Sequence, residues 1–237
     1  MTDVDDILTR LAVGLVEGSD QGVPLAARFC RAASTTLGCD GAAITVAYTR
    51  PERVTLCASD DTARIIEEAL ELMGQGPGAD AFSSGAYLRL DVGGAGVDPR
   101  WPLLEDSGLS EVAPVTVHAV PLGDPPVIGV LTLYQHGAGR DFDVEDAAAV
   151  ARVLAAALLA DGPTHQETGG GAWSARAEVH QATGMVIAQL GVGEDDALAL
   201  IRAHAYSHDQ SVPRSSHDIV NRRVTFSATS DREIESS

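Results

Sequence analysis

The sequence predicts an α/β (α+β) domain whose strands pair antiparallel between flanking helices, followed by a small all-α domain of three helices. Three observations predict it. Helical periodicity gives way to short β-rich runs after residue 40 and returns at residue 60; the last two such runs are split by turn chemistry suited to antiparallel neighbours; and a Gly-rich stretch near residue 170 precedes three helical patterns with no strand.

Each element has a local reason. Over Val4 to Glu17, Ile7, Leu8, Leu11, Leu15 and Val16 recur at helical spacing. Val23 to Leu37 reads as a second helix, with Pro24 near its start and Gly38 just past its end. Ala42 to Tyr48 and Arg53 to Ala58 form a hairpin across Thr49-Arg50-Pro51-Glu52. Asp60 to Met73 is helical, started by Asp60-Asp61-Thr62 and stopped by Gly74, Gly76, Pro77 and Gly78. Tyr87 to Val92, Val115 to Leu122 and Val127 to Tyr134 are strands, the last two split by Gly123-Asp124-Pro125-Pro126, and Gly93-Gly94-Ala95-Gly96 is a turn. Asp143 to Ala160 is a helix whose Val144, Ala148, Ala151, Ala155 and Leu158 form a heptad-like stripe, a surface for pairing with another chain.

The expected division is residues 1–160 as one domain, 161–172 as a flexible Gly, Thr, Gln and Pro-rich linker, 173–226 as the helical domain and 227–237 as a disordered tail. The three C-terminal helices are Trp173 to Leu190, Glu194 to Ser207 and Ser215 to Val224. Glu194-Asp195-Asp196 suit a helix N-terminus through its partial positive charge.

Composition narrows the function. The formal charge is -18, which argues against broad nonspecific binding to nucleic acid or an anionic membrane. The charge is uneven. Residues 1–161 carry 24 acids against 10 arginines, whereas 172–225 carry 6 against 5. With no Lys anywhere, every fixed side-chain cation is Arg, and coding bias is the simplest reason. Cys30, Cys39 and Cys57 have an odd count and no C-x-x-C spacing, so neither a zinc knuckle nor a disulfide framework is suggested and a reducing compartment fits. The longest apolar stretch, Ala147 to Ala160, contains Arg152 and is too short to span a bilayer. With an acidic start to the chain, a cytoplasmic location is expected.

The order of elements resembles the GAF fold, a central antiparallel sheet flanked by helices. Leu88-Arg89-Leu90-Asp91-Val92, Asp98-Pro99-Arg100-Trp101-Pro102, Pro121-Leu122, Ile128 through Tyr134 and Phe142 are similar to the GAF domains found beside ANTAR modules in actinobacteria, over about residues 5 to 160. The C-terminal segment resembles an ANTAR domain through Arg176, Val179, Gln181-Ala182-Thr183-Gly184-Met185, Leu190-Gly191, Ala197, Leu200-Ile201-Arg202, Ala205-Tyr206 and Asp218-Ile219-Val220. Ala182 and Gly184 are expected to let helix backbones approach closely. There are departures: Thr183 stands where the family usually has a basic residue, and Pro213 with Ser215-Ser216-His217 interrupts a normally apolar, helix-forming stretch.

The resemblance implies a signal-responsive homodimer that binds paired hairpin loops in leader RNA and prevents termination, with the GAF half sensing a small-molecule ligand of unknown identity. Guanidinium groups suit loop recognition because they pair with phosphate and stack on unpaired bases. The candidate RNA contacts are Arg176, His180, Arg202, Arg214, Arg222 and Arg223, with His204, His208 and His217 adding charge when protonated. For each of them the plain alternative is a solvated helix face. Signal transmission is expected through the helix 143–160.

Other chemistries fare worse. His204 and His208, four apart, could grip a metal, but no Cys or Glu completes a local motif and the negative helix end explains them, so no metal is expected. His118 reads as a partly exposed strand histidine opposite in facing to Val117 and Ala119, in preference to a haem ligand, and no cofactor is predicted. A chain without Lys can carry neither the cyclic-nucleotide GAF signature nor a Walker lysine. No Gly-x-Ser-x-Gly, His-Glu-x-x-His or supported Cys-His arrangement occurs, so no enzyme is expected. Two rival readings stand: an interaction or ligand-sequestering module whose ANTAR half no longer binds RNA, and a small DNA-binding helix-turn-helix regulator, which lacks a clear basic recognition helix.

Overall fold

The computed structural model describes residues 4–16, 25–46, 54–93, 98–112, 114–137, 142–161 and 172–227, which divide into two compact units, Met1–Trp173 and Ser174–Ser237. The expected hairpin turn at 49–52, most of the turn at 93–96, Pro24, nearly all of the linker and the tail beyond Ser227 lie outside the described residues.

The first unit runs α1 (Val4–Val16), α2 (Leu25–Leu37), β1 (Gly41–Val46), β2 (Val54–Ala58), α3 (Asp61–Met73), α4 (Pro77–Ser84), β3 (Leu88–Val92), β4 (Val115–Leu122), β5 (Gly129–His136) and α5 (Val144–Asp161). Short 3-10 turns at Pro102–Asp106 and Leu109–Glu111 join β3 to β4. The strands form one five-stranded sheet in the order β2-β1-β5-β4-β3, with every neighbouring pair antiparallel.

The sheet is covered on both faces. Val120, Leu122, Leu131 and Leu133 pack with Phe29 of α2, Ile7 and Leu11 of α1 and Val150 and Leu154 of α5. Val115, Val117 and Tyr134 point the other way, toward Ile66 of α3, Trp101 and Leu104. Near α4, Ala119 and Val130 pack with Ala81. Double coverage corrects the expectation for His118. It is fully buried on the α5 face, its Nδ1 2.8 Å from the Tyr87 hydroxyl and its ring edge-on to Phe142, because a strand with helices on both sides has no solvent face.

Helix ends follow the anticipated chemistry. Asp60 caps α3 by accepting from the Ala63 N–H at 2.9 Å, and Gly74 closes it at φ 67°. Pro77, expected only as part of a stop signal, also starts α4, since proline is tolerated in a first turn. Asp143 caps α5 through the N–H groups of Glu145 and Asp146. Asp60 also accepts from the Tyr134 hydroxyl at 3.0 Å; burial, reinforced by that bond, pushes the Tyr134 pKa up to about 12. This knot rests on Gly41, where a side chain would collide with both residues.

Two further findings depart from the sequence reading. Ala151 and Ala155 of the α5 stripe are buried against the sheet, so most of the stripe belongs to the chain's own core; Val153 and Leu159 are among the exposed residues. Cys30 of α2 is disulfide-bonded to Cys57 of β2, a pairing across 27 residues that spacing alone does not reveal, so the cysteines no longer argue for a reducing compartment; Cys39 lies outside the disulfide. Among the described residues no helix is long and apolar enough to cross a membrane.

Candidate nucleic-acid interface

The second unit holds α6 (Ala172–Leu190) from Ser174 onward, α7 (Glu194–Ser207) and α8 (Val212–Val220). Val179, Ala182 and Val186 recur at helical spacing on α6 and are buried, as are Ala197, Leu198, Ile201 and Ala205 of α7 and Val212 and Ile219 of α8. Acids at 194–196 occupy the first turn of α7. Cross-helix bonds fix the assembly: His217 Nδ1 lies 3.2 Å from Glu178, and the Phe226 N–H donates to Gln189 Oε1 at 2.8 Å.

Helix α8 begins earlier than Ser215 and ends before Val224. Ser211 caps it by accepting from the Arg214 N–H, and Pro213 sits in the first turn, so the proline starts the helix instead of interrupting it. Ser215 and Ser216 are fully buried. Ser215 donates to Gln210 Oε1 at 3.0 Å, whereas Ser216 Oγ has no hydrogen-bond partner among the described residues. The helix stops through a two-bond turn in which the Arg222 N–H donates to Ile219 O at 2.9 Å and the Arg223 N–H to Asp218 O at 2.8 Å. Arg222 takes the left-handed position of that turn, at φ 57°, where glycine is the usual occupant.

That turn gathers the cations. Asp218, only 12% exposed in its side chain, faces Arg214 Nε at 3.5 Å and accepts from Arg223 Nη1 at 3.1 Å. Both arginines stay largely exposed, so one edge of the Arg223 guanidinium is bound while the rest faces water. Arg222 is exposed beside them.

The other expected contacts are scattered. His180 is exposed on α6; Arg202 of α7 is half-buried, with Nε closed off from solvent; Arg176 lies on α6 with its side chain outside those described. Burial, and then the neighbouring His208, lower the His204 pKa, so the charge that His204 could add when protonated requires a lower pH than for a free imidazole. The His204 and His208 rings lie 4.1 Å apart, and His208 Nδ1 is bonded to the His204 carbonyl at 2.9 Å, which assigns that nitrogen the proton. No group of three or more metal-ligating side chains occurs among the described residues.

Residues 171–220 match the ANTAR domain. The match spans the three helices just described. Among solved structures, the chain is similar to a crystallised domain of a two-component sensor histidine kinase protein from Sinorhizobium meliloti 1021, at 19% identity and a TM-score of 0.41, over 57% of this chain and 89% of that one. No curated protein matches the chain.

Within the ANTAR segment, two sequence expectations change. Thr183 is buried, its hydroxyl donating to the Val179 carbonyl at 2.9 Å, so the position that the family resemblance made basic faces the core here. Gly184 is exposed, and a Cβ there would meet nothing within 4 Å; only Ala182 serves close packing. Asp218, quoted from the sequence only for its resemblance to the family, is the acid that Arg214 and Arg223 both face. The i,i+4 spacing of Arg214 and Asp218 on α8 is readable from the sequence, whereas Arg223 reaches Asp218 only through the turn at Arg222.

Proposed function

We propose that the chain is a signal-responsive RNA-binding regulator of transcription that acts by antitermination at leader RNA hairpin loops. The ANTAR match over residues 171–220 carries this reading, because ANTAR is an RNA-binding antitermination module. The arginine cluster at the end of α8 supplies its chemistry. Arg222, Arg223 and Arg214 present guanidinium edges for phosphates and unpaired bases, while Asp218 limits the rotation of two of them and so lowers the entropy lost on binding. Arg176, His180 and Arg202 complete the proposed contact set. In this reading residues 1–160 are a GAF sensory and dimerisation domain, 161–172 a linker and 227–237 a tail, and the site of action is the cytoplasm, where nascent RNA is made. Exposed Val13 and Val16 on α1 and Leu159 on α5 support a homodimer, which would present two copies of the cluster.

The test is a salt titration of binding to a two-loop leader RNA. Arg222→Ala with Arg223→Ala weakens binding and lowers the logarithmic salt slope by about 0.7 per lost single-strand phosphate contact. An unchanged slope removes these arginines from the interface. Competition with duplex DNA separates the helix-turn-helix reading.

A second reading has its own observation. Both Arg214 and Arg223 already face Asp218, and residues 172–225 carry a net -1, as expected of an interaction module that has lost RNA contact. Failure of the wild-type chain to shift any two-loop RNA in a gel would favour it.

A further inference from the structure

A cavity of about 700 Å³ lies between α1 and α2 and reaches the start of α3. This volume falls in the range that holds small molecules. Its wall contains Arg10, Arg28 and Arg31, a concentration of cations in a unit whose sequence is strongly acidic.

The acids in the same wall are committed elsewhere. Asp40 Oδ2 accepts the His136 N–H at 2.6 Å, and Asp60 accepts from the Ala63 N–H, the Tyr134 hydroxyl and the Ser59 hydroxyl. The arginines are less satisfied. Arg10 pairs with Asp6 at 3.3 Å on an exposed surface, a weak restraint. Arg28 donates Nη1 to the Leu15 carbonyl at 2.8 Å, while its buried Nε has no acceptor among the described residues. Arg31 is exposed and forms no ion pair with a described carboxylate. Among the described residues this half-buried Arg28 guanidinium meets a single carbonyl dipole, which leaves its charge under-compensated there, and an anion is the partner that would offset its desolvation. Ser34, Thr35 and Thr36 of α2 also line the wall, beside the apolar Val13 and Ala32, and suit a ligand body that carries both hydroxyl and apolar groups.

We propose that this cavity binds a small anionic molecule bearing phosphate or carboxylate groups, with Arg28 and Arg31 as its principal anchors. Spaced three apart, these two arginines share one face of α2, and Arg10 closes the site from α1. Occupancy ties α1 to α2 and stabilises the first unit. The inference is independent of RNA binding by the second unit.

The experiment titrates the full chain with inorganic phosphate and, separately, citrate at constant ionic strength, reading melting temperature and amide NMR shifts. At tenfold saturation by one of these anions the melting temperature rises by about 3–5 °C, saturably, with shifts confined to α1, α2 and the residues near Asp60. Response to phosphate alone, or to citrate alone, identifies which acid group the site takes. Arg28→Gln with Arg31→Gln raises the apparent Kd at least tenfold, whereas Arg152→Gln on α5 leaves it unchanged. Should the double variant fail to fold, exposed Arg31→Gln alone carries the comparison with a loss of threefold or more. No saturable response to either anion up to 20 mM, roughly the weakest affinity a two-arginine site would show, overturns the proposal. Equal responses in wild type and Arg31→Gln also overturn it.

Discussion

Arg222 holds a left-handed backbone at φ 57° in a turn where glycine carries no steric penalty. A non-glycine residue there costs on the order of 1 kcal/mol. If its guanidinium serves RNA, Arg222→Gly separates the two effects: unfolding free energy rises by up to about 1 kcal/mol in urea titrations, while RNA affinity falls. A parallel fall in both would assign the residue a structural role instead. Ser216 makes the opposite case, since its buried hydroxyl lacks a hydrogen-bond partner among the described residues. Ser216→Ala removes that unsatisfied group and is expected to stabilise the second unit by about 1 kcal/mol, read from the shift in urea midpoint. The arginines of the candidate interface were legible in the sequence as cations, but their pairing was not. Whether Arg223 meets solvent or Asp218 depends on how the chain turns after Val220, and that depends on a strained conformation at a residue with no propensity for it.

At the scale of elements, the strands and most helices were legible because caps, turns and periodicity agreed. The stop at Gly74 and the start at Asp60 are examples. What escaped were features set by tertiary contact. Helix α4 hides in a Gly and Pro-rich stretch, the burial of His118 needs helices on both sheet faces, and the Cys30–Cys57 disulfide joins elements that only the folded sheet brings together. Helix α8 shows the same limit: Pro213 looks like a breaker until Ser211 is recognised as the cap before it. Ser211→Ala should therefore cost about 1 kcal/mol in stability of the second unit, measured by chemical denaturation. Gly184 offers a contrasting test on α6, since a side chain there meets open space. Gly184→Ala should stabilise the helix by up to about 1 kcal/mol, and hydrogen exchange along α6 should slow. A loss of stability would mean that a partner or a second copy packs against that backbone.

For the molecule as a whole, protonation and net charge set the conditions under which the candidate interface can work. Because burial and His208 lower the His204 pKa, the folded segment binds fewer protons than the unfolded chain once pH drops below the ordinary value of 6.5. Stability contributed at this site is complete above that pH and declines below it toward the folded pKa, and His204→Gln should flatten the decline in melting temperature between pH 7 and 5. Charge acts over a longer range. The chain carries -18 overall, most of it before residue 162, while the helical segment is nearly neutral. On the proposed function, RNA at the α8 turn would gain from counterion release, which weakens as salt rises, while the net negative charge of the rest of the chain would oppose binding, a repulsion screened by the same salt. The two effects oppose each other. Affinity of the full chain for leader RNA should therefore fall less steeply between 50 and 200 mM salt, a range where the Debye length shrinks from about 14 to 7 Å, than affinity of residues 172–237 alone. The isolated segment should bind more tightly at the low end, with the difference closing as salt is added. Identical slopes for the two proteins would show that the acidic unit exerts no appreciable field at the bound RNA, and specificity against other polyanions would then have to come from the loop contacts themselves.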